Sequence, residues 1–130
     1  MAILGSRDQL CVNPSLSDCS GIEKTRRCQK LVQNKECKYY STYEQKRDTI
    51  SKIYQAKLMD IEDWVSEGKA ESFCTYYASR NLIHNANLVV MPFETLVDQK
   101  SIELMSPYFN NAVIVIEDAD LFEGFILEVN

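Results

Sequence analysis

The pattern of apolar and polar positions changes along the chain. Residues 2–5 are typical of a short strand running into a turn. From Cys11 to Cys37 apolar residues are scarce, which predicts loops with short helical turns, too poor in apolar residues to build a core of their own. From Tyr43 to Lys57 the apolar residues follow helical spacing, and we expect an amphipathic helix there.

Two further helices are predicted in the middle of the chain. Asp60 is a typical N-cap, and Trp64 and Val65 follow it as buried anchors. Gly68 is then the expected C-terminal stop of this helix. A second helix is predicted from Tyr76 to Asn85.

The C-terminal part has the pattern of an α/β fold. Leu88–Met91 is a short apolar run that predicts a buried strand, and Thr95–Met105 has the spacing of a helix. Ala112–Ile116 is continuous and β-branched, which is typical of a strand buried on both faces of a parallel sheet. Strand, helix and strand in roughly 30 residues form a βαβ unit, so we expect an α/β fold.

Composition narrows the class of protein. Hydrophobic residues make up 45% of the 130 residues and charged residues 25%, the balance of one soluble folded domain or a piece of a larger one. The longest apolar run is far shorter than the roughly 20 residues of a membrane span. The apolar run Met1–Leu4 is too short for a secretory leader. We expect a protein that stays inside the cell and has no membrane contact.

The net charge of −5 is divided unevenly along the chain. Residues 1–58 carry a net charge of +5, and residues 59–130 carry −10. A basic half fits a nucleic-acid-binding surface, although two solvated faces give the same charges. Tyrosines near basic residues fit either base stacking or packing around a small core: Tyr39, Tyr40, Tyr43, Tyr76 and Tyr77.

The five cysteines raise the question of a metal site: Cys11, Cys19, Cys28, Cys37 and Cys74. Their odd number in a chain without a leader argues against a disulfide framework. None of their spacings is the C-x2-C of a zinc ribbon, whereas the thiolates of an iron–sulfur cluster need only converge in space. Spacing alone leaves an iron–sulfur cluster, a zinc site and free thiols open.

Glu117 and Asp118, after the Ala112–Ile116 run, are a second candidate site. An acidic pair at the carboxyl end of a parallel strand can hold Mg²⁺ beside a nucleotide, and a plain turn with solvated acids is the other interpretation. None of the four glycines belongs to a P-loop. The single histidine, His84, is expected on a helix surface or in packing.

Several motifs resemble the XPD family of iron–sulfur DNA helicases, in the family's order and over nearly the whole chain. Leu4–Pro14 is similar to the start of the family's iron–sulfur domain. The other matching segments are Cys28, Cys37–Tyr40, Met59–Val65, Cys74–Arg80, Ala86–Phe93 and Val113–Asp120, the last at the position of the family's DEAH box.

The resemblance implies a cofactor and a domain organisation. The cofactor is a [4Fe–4S] cluster on Cys11, Cys28, Cys37 and Cys74, which leaves Cys19 unpaired. The fold is a partial RecA-like parallel sheet of the first helicase motor domain that carries the α-rich cluster domain as an insertion. Residues 1–10 then form the edge of the motor domain, residues 11–80 the cluster domain, and residues 81–130 motor-domain strands with the DEAH-box position.

The resemblance also implies DNA, single-stranded or forked, as partner and Mg-ATP as the fuel of the parent family. In that family the inserted domain lies beside the single strand during 5′-to-3′ unwinding. Arg7 and Arg80 occupy matching positions, and we expect them to face DNA. Other helicase domains and repair or telomere proteins are further expected partners, and the nucleus is the expected location.

The DEAH box departs from the family's pattern, because it reads Glu117-Asp118-Ala119-Asp120 here. The Mg²⁺-holding acid is one methylene longer, the water-orienting acid one shorter, and Asp120 replaces a histidine. Since near-attack geometry is sensitive to about 1 Å, we expect ATP hydrolysis by this chain alone to be impaired. Thr75 also stands where the family usually has proline.

The family's P-loop and second motor domain have no counterpart in these 130 residues. The sequence therefore predicts a fragment or degenerate member of an ATP-dependent DNA helicase that acts in DNA repair, recombination or telomere maintenance. The alternative is a non-catalytic metal-cluster module that binds single-stranded DNA or a partner protein.

Overall fold

The structure, a computed structural model, describes residues 1–115. This part of the chain is mostly helical, with one small parallel sheet. Its elements are β1 (Ala2–Ile3), α1 (Arg7–Leu10), α2 (Gly21–Gln33), α3 (Lys38–Tyr54), α4 (Ile61–Glu71), α5 (Thr75–Asn81), β2 (Val89–Val90), α6 (Glu94–Val97) and α7 (Gln99–Met105). Short 3₁₀ turns lie at Pro14–Leu16, Leu82–Asn85 and Ser106–Tyr108.

The sheet joins the two ends of the helical region. β1 and β2 pair in parallel, with Ala2 opposite Val89, and the Leu4 amide donates to the Val90 carbonyl oxygen at 2.8 Å. Parallel strands need a long crossover, and α1 to α5 all lie within this one. The two strands predicted near these positions are confirmed, but β2 is not buried as predicted, since Leu88 and Val90 are 56% and 46% exposed. The helices with a parallel sheet agree with the α/β class. The RecA-like sheet and the domain boundaries stay predictions.

Helix α2 corrects the prediction of loops and short turns between Cys11 and Cys37. The helix has little apolar surface to bury, and Ile22 is 80% exposed. Its inward face is formed by Lys24 and Cys28, which lie one turn apart and are both buried. The Lys24 ammonium lies 3.6 Å from the carboxylate of Asp8 in α1. Tertiary contacts of this kind, rather than an apolar stripe, hold the helix in place, so hydrophobic periodicity did not reveal it.

The amphipathic helix predicted from Tyr43 to Lys57 is confirmed as α3, which begins earlier and ends at Tyr54. Its backbone is kinked at Lys46, where φ is −111° and ψ is 16°. Ile50 and Tyr54 are buried as expected from their spacing, whereas Ile53, expected on the same face, is 48% exposed.

Asp60 caps α4, as predicted. Its carboxylate accepts from the Asp63 amide at 2.8 Å, and the Asp63 carboxylate accepts from the Asp60 amide at 3.2 Å. The predicted stop at Gly68 is wrong, because the helix continues to Glu71 and is capped by Ser72 in the left-handed region, with φ 57°. Gly68 is instead buried inside the helix, where its missing side chain makes room for a neighbour.

The remaining helices follow the sequence prediction less closely. The helix expected from Tyr76 to Asn85 is present as α5 and the 3₁₀ turn that follows it. The helix expected over Thr95–Met105 is divided into α6 and α7 at Asp98. The carboxylate of Asp98 accepts from the Ser101 amide at 2.9 Å and starts the second helix.

The buried strand predicted at Ala112–Ile116 is not present in the part of that run that the structure describes. Residues 112–115 form no strand, and Val113 and Val115 are 90% and 84% exposed. In the part of the chain that the structure covers, the sheet consists of β1 and β2, and residues 112–115 pair with neither. The βαβ unit is therefore not seen there, and Ile116 lies outside the described residues.

Aromatic side chains from three segments meet in the core. The ring of Tyr54 lies 5.3 Å from that of Trp64 and 5.7 Å from that of Phe73, between ring centres. Trp64 and Phe73 are each only 2% exposed. Other buried members of the core are Ala2, Leu4, Leu10, Tyr43, Ile50, Met59, Ala78, Leu82, Ile83 and Met105. No helix within residues 1–115 is long and apolar enough to cross a membrane.

The close approach at Gly68 gives a test of this packing. A Cβ at position 68 would clash with Thr75 Cγ2 and lie 2.9 Å from the Phe73 carbonyl oxygen. Because the oxygen belongs to the backbone, we expect Gly68→Ala to lower the free energy of unfolding by about 1–3 kcal/mol despite the better helix propensity of alanine. Urea unfolding followed by circular dichroism measures this, with the exposed Ser66→Ala as control, expected within about 0.5 kcal/mol of wild type. A Gly68→Ala variant as stable as wild type would contradict the packing.

Candidate metal centre

The four cysteines predicted as ligands lie at or beside helix termini or on a buried helix face. Cys11 directly follows α1, and Cys28 is on the inward face of α2. Cys37 and Cys74 are the N-cap residues of α3 and α5. Cys28, Cys37 and Cys74 are each 7–8% exposed, and Cys11 is half-buried. Residues far apart in sequence are thus presented by rigid elements.

The thiols lie in one electrostatic neighbourhood. Burial raises the pKa of the Cys74 thiol to about 12, and Cys37, Cys11 and Cys28 act in the same direction. Burial also raises the pKa of the Cys11 thiol, to which Cys28 and Cys37 add, whereas the cation of Lys24 opposes the rise. None of these cysteines forms a disulfide. The four cysteines that the sequence motifs selected are therefore near enough to influence one another's pKa, and their role as ligands stays a prediction.

Backbone and side-chain amides point at the sulfur atoms. The Asn13 side-chain amide donates to Cys37 Sγ at 3.5 Å, and its backbone N–H donates to the Cys11 thiol. The backbone N–H of Tyr77 donates to the Cys74 thiol. Donors of this kind stabilise thiolates, which is the form in which cysteine binds a metal.

The peptide segments around the cysteines are also tied to one another. The hydroxyl of Thr75, which is fully buried, donates to the Leu10 carbonyl oxygen next to Cys11. The Cys74 amide donates to the Tyr39 carbonyl oxygen, close to Cys37, at 3.0 Å. These bonds hold three of the four cysteine segments together without any metal.

The donor set has the chemistry of an iron–sulfur site. Within residues 1–115 no group of three or more His, Cys, Asp or Glu side chains could hold one metal ion as it stands. Zinc needs its sulfur ligands at about 2.3 Å from one point, whereas a [4Fe–4S] cluster binds each cysteine through a different iron and so needs a wider ring of thiols. Three buried thiols and the half-buried thiol of Cys11, with N–H donors toward Cys11, Cys37 and Cys74, have the chemistry that such a cluster requires.

Cys19 has a different environment. Its thiol donates to the Leu16 carbonyl oxygen at 3.4 Å within the same turn of chain, and it is half-buried. It is not among the groups that act on the pKa of Cys11 or Cys74. This agrees with the expectation that Cys19 is not a ligand, which stays a prediction.

Arg7 and Arg80 both contact Tyr76. The guanidinium of Arg7 lies 4.1 Å from the centre of the Tyr76 ring, and that of Arg80 lies 3.7 Å from it. Arg7 also donates to the hydroxyls of Tyr76 and Tyr77 at 3.0 and 3.2 Å, and Arg80 donates to the Gly5 carbonyl oxygen at 3.1 Å. Burial lowers the pKa of Arg80. The structure thus places these two arginines together, on protein partners, and their DNA-facing role stays a prediction.

The exposed positive charge lies elsewhere. Arg26 and Lys30, four positions apart on α2, are exposed and form no ion pair within the described part of the chain. Arg27 is paired with Asp18 at 3.0 Å. Other exposed cations without an ion pair in residues 1–115 continue along the basic half: Lys35, Lys38, Lys46, Lys52 and Lys57.

The sequence did not identify Asn13 or Thr75 as site residues. Asn13-Pro14 directly after Cys11 is a recognisable turn signal, since an asparagine side chain often bonds to the backbone just after it. No local signal shows that the amide then reaches Cys37 or that Thr75 reaches Leu10. Glu117, Asp118 and Asp120, the altered DEAH box, lie outside the described residues.

Comparison with known proteins supplies the family. Residues 1–130 match the DEAD_2 family. The chain is 34% identical over 128 residues to the regulator of telomere elongation helicase 1 homolog of Anopheles gambiae, covering 98% of this chain and 13% of that protein. The Aedes aegypti homolog is 35% identical over 118 residues (90% and 12%), and the Rattus norvegicus regulator of telomere elongation helicase 1 is 32% identical over 120 residues (92% and 9%).

No solved structure matches the chain. The chain spans 9–13% of the length of these curated relatives. The resemblance drawn from the ordered motifs is confirmed, and because the family match extends over residues 1–130, the chain belongs to the DEAD_2 family.

Proposed function

We propose that this chain is the cluster-binding part of a nuclear, ATP-dependent DNA helicase that unwinds DNA in the 5′-to-3′ direction during repair, recombination or telomere maintenance. In this proposal Cys11, Cys28, Cys37 and Cys74 hold a [4Fe–4S] cluster, and the basic half of the chain tracks single-stranded or forked DNA. The relatives are helicases by name, and the family is shared.

One observation supports the cluster most directly. Four cysteines from four separate elements lie in one electrostatic neighbourhood, and three of them are at most 8% exposed. Burial raises the pKa of a thiol and so disfavours the thiolate. A set of buried thiols with N–H donors therefore fits a metal site better than it fits reactive free cysteines at the surface. A bound cluster would supply positive iron centres that keep all four thiolates ionised and cross-link the segments.

The chain's own residues then act on DNA by charge and by rigidity. Exposed cations such as Arg26 and Lys30 attract phosphates and release counterions. The cross-linked helices keep that surface in one orientation, which a wedge beside a strand junction needs. Exposed positive side chains without ion pairs on α2 and α3 support this assignment.

A second candidate function rests on the altered DEAH box. With Glu117, Asp118 and Asp120 in place of the family's residues, ATP hydrolysis is disfavoured, and a non-catalytic cluster module that binds single-stranded DNA or a partner protein becomes the alternative. ATPase activity, measured with DNA and with a complementing chain that supplies a P-loop, separates the two. Mg-ATP turnover above the complementing chain alone supports the helicase, and its absence with DNA binding retained supports the module.

The ligand set predicts which cysteine variants lose the metal. Cys28→Ser removes one of the four proposed thiolates, and we expect it to abolish cluster binding. Cys19→Ser removes a thiol outside the set, and we expect iron and sulfide contents equal to wild type. Anaerobic purification followed by iron, sulfide and zinc analysis and an absorption spectrum measures both, with about four irons and four sulfides expected in wild type.

Different results would change the assignment. One zinc without sulfide in the wild-type chain would replace the cluster by a structural zinc site. Loss of iron in Cys19→Ser with iron retained in Cys74→Ser would show that the ligand set is wrong.

The basic surface predicts a salt-dependent affinity for DNA. For the double variant Arg26→Ala/Lys30→Ala, we expect weaker binding of a single-stranded oligonucleotide and a plot of log affinity against log salt that is shallower by about 1–2. Fluorescence anisotropy from low to high salt measures the slope. The matched control is Lys69→Ala/Lys100→Ala, which removes two exposed lysines of the acidic half and is expected to leave the slope unchanged. Equal slopes for both double variants would place the DNA-binding surface elsewhere.

A further inference from the structure

Asn13 contacts two of the four proposed ligands. Its side-chain Nδ2 lies 3.5 Å from Cys37 Sγ, and its backbone N–H donates to the thiol of Cys11. Cys11 and Cys37 belong to different segments, one after α1 and one before α3. Asn13, two residues after Cys11, therefore connects the Cys11 segment to Cys37 through its side-chain amide.

The orientation of the Asn13 amide is fixed by the turn that follows it. Its Oδ1 accepts from the backbone N–H of Ser15 at 3.0 Å and from the Ser15 hydroxyl at 2.9 Å. Asn13 is also the N-cap of the 3₁₀ turn Pro14–Leu16. Since the oxygen is engaged by the Ser15 donors, the NH₂ group is the end of the amide that faces the sulfur.

An N–H donor at a ligand sulfur has a consequence for redox chemistry. Reduction adds one electron to an iron–sulfur cluster, and part of the added negative charge resides on the sulfurs. A donor stabilises the reduced form more than the oxidised form and so raises the reduction potential. The Cys74 sulfur, by contrast, receives a backbone donor from Tyr77, which no side-chain substitution removes. The Asn13 amide is a side-chain donor and can be changed.

We propose that Asn13 is a positioning residue of the cluster, which holds the Cys11 and Cys37 segments together and favours the reduced state through its amide donor to Cys37. The inference rests on the proposed function, because it requires that these cysteines bind a cluster. It adds a residue outside the ligand set and a measurable property of the bound cluster.

The test uses the 130-residue chain loaded with iron and sulfide. Asn13→Asp keeps the acceptor for Ser15 but replaces the donor by a negative charge, and Asn13→Ser keeps a turn-forming oxygen without an amide donor. We expect midpoint potentials in the order Asn13→Asp, then Asn13→Ser, then wild type, from lowest to highest, by protein film voltammetry. Asn87→Asp makes the same charge change at an exposed position and is expected to match wild type.

The outcomes separate this inference from the function on which it rests. A wild-type chain that binds no iron refutes the proposed cluster itself. If the wild-type chain binds the cluster and both Asn13 variants have the same midpoint potential as wild type, the role of Asn13 is refuted and the proposed cluster is not. If Asn13→Asp does not bind the cluster, the midpoint potential of Asn13→Ser decides: a value below that of wild type supports the role of Asn13, and an equal value refutes it. Failure of both to load supports the positioning role when the helical circular dichroism is retained, and overturns it when the helical signal is lost.

Discussion

Burial of sulfur is the constraint on which the rest of this molecule depends. Cys28, Cys37 and Cys74 are almost fully enclosed, and enclosure raises the pKa of the Cys74 thiol to about 12. A thiol in such a place binds a metal only if the protein offsets the cost of its negative charge. The cation of Lys24 and the N–H groups that face the sulfurs provide that compensation, and both depend on the helices being in their places.

Close contacts around the cysteine segments explain several features of the fold. Lys24 is buried on the face of α2 that also bears Cys28, and its partner Asp8 fixes that face against α1. Thr75 donates its hydroxyl to the carbonyl oxygen of Leu10, which the proline expected at this position from the sequence resemblance cannot do. Gly68 lets Thr75 approach α4 closely. Polar bonds and one close contact thus hold segments that have too few apolar residues to hold themselves.

The sequence predicted the elements that have local causes. The cap at Asp60, the buried Trp64 and the strand pair around Ala2 and Val89 follow from capping chemistry and apolar periodicity, and the structure agrees. Helix α2 was missed because its order comes from an ion pair and a buried cysteine, which are tertiary contacts and leave no periodic pattern.

The candidate site was also predicted only in part from the sequence. The four cysteines that the motifs selected act on one another electrostatically, and their role as ligands stays a prediction. Asn13 was not found, because its contact with Cys37 joins segments separated by the whole of α2. The local sequence predicts a turn at Asn13, but it does not predict that the turn directs the amide toward the sulfur of Cys37.

The two arginines beside Tyr76 bear on where DNA would be bound. Arg7 and Arg80 donate to Tyr76, Tyr77 and the Gly5 carbonyl oxygen, so they join the beginning and the end of the helical region next to β1. A guanidinium already engaged in this way would have to give up protein partners before it contacted a phosphate, whereas the exposed cations of α2 and α3 would not. In the proposed function, the exposed helix surfaces therefore make the sequence-independent contacts with DNA, and the two arginines tie the segments of α1 and α5 together beside β1.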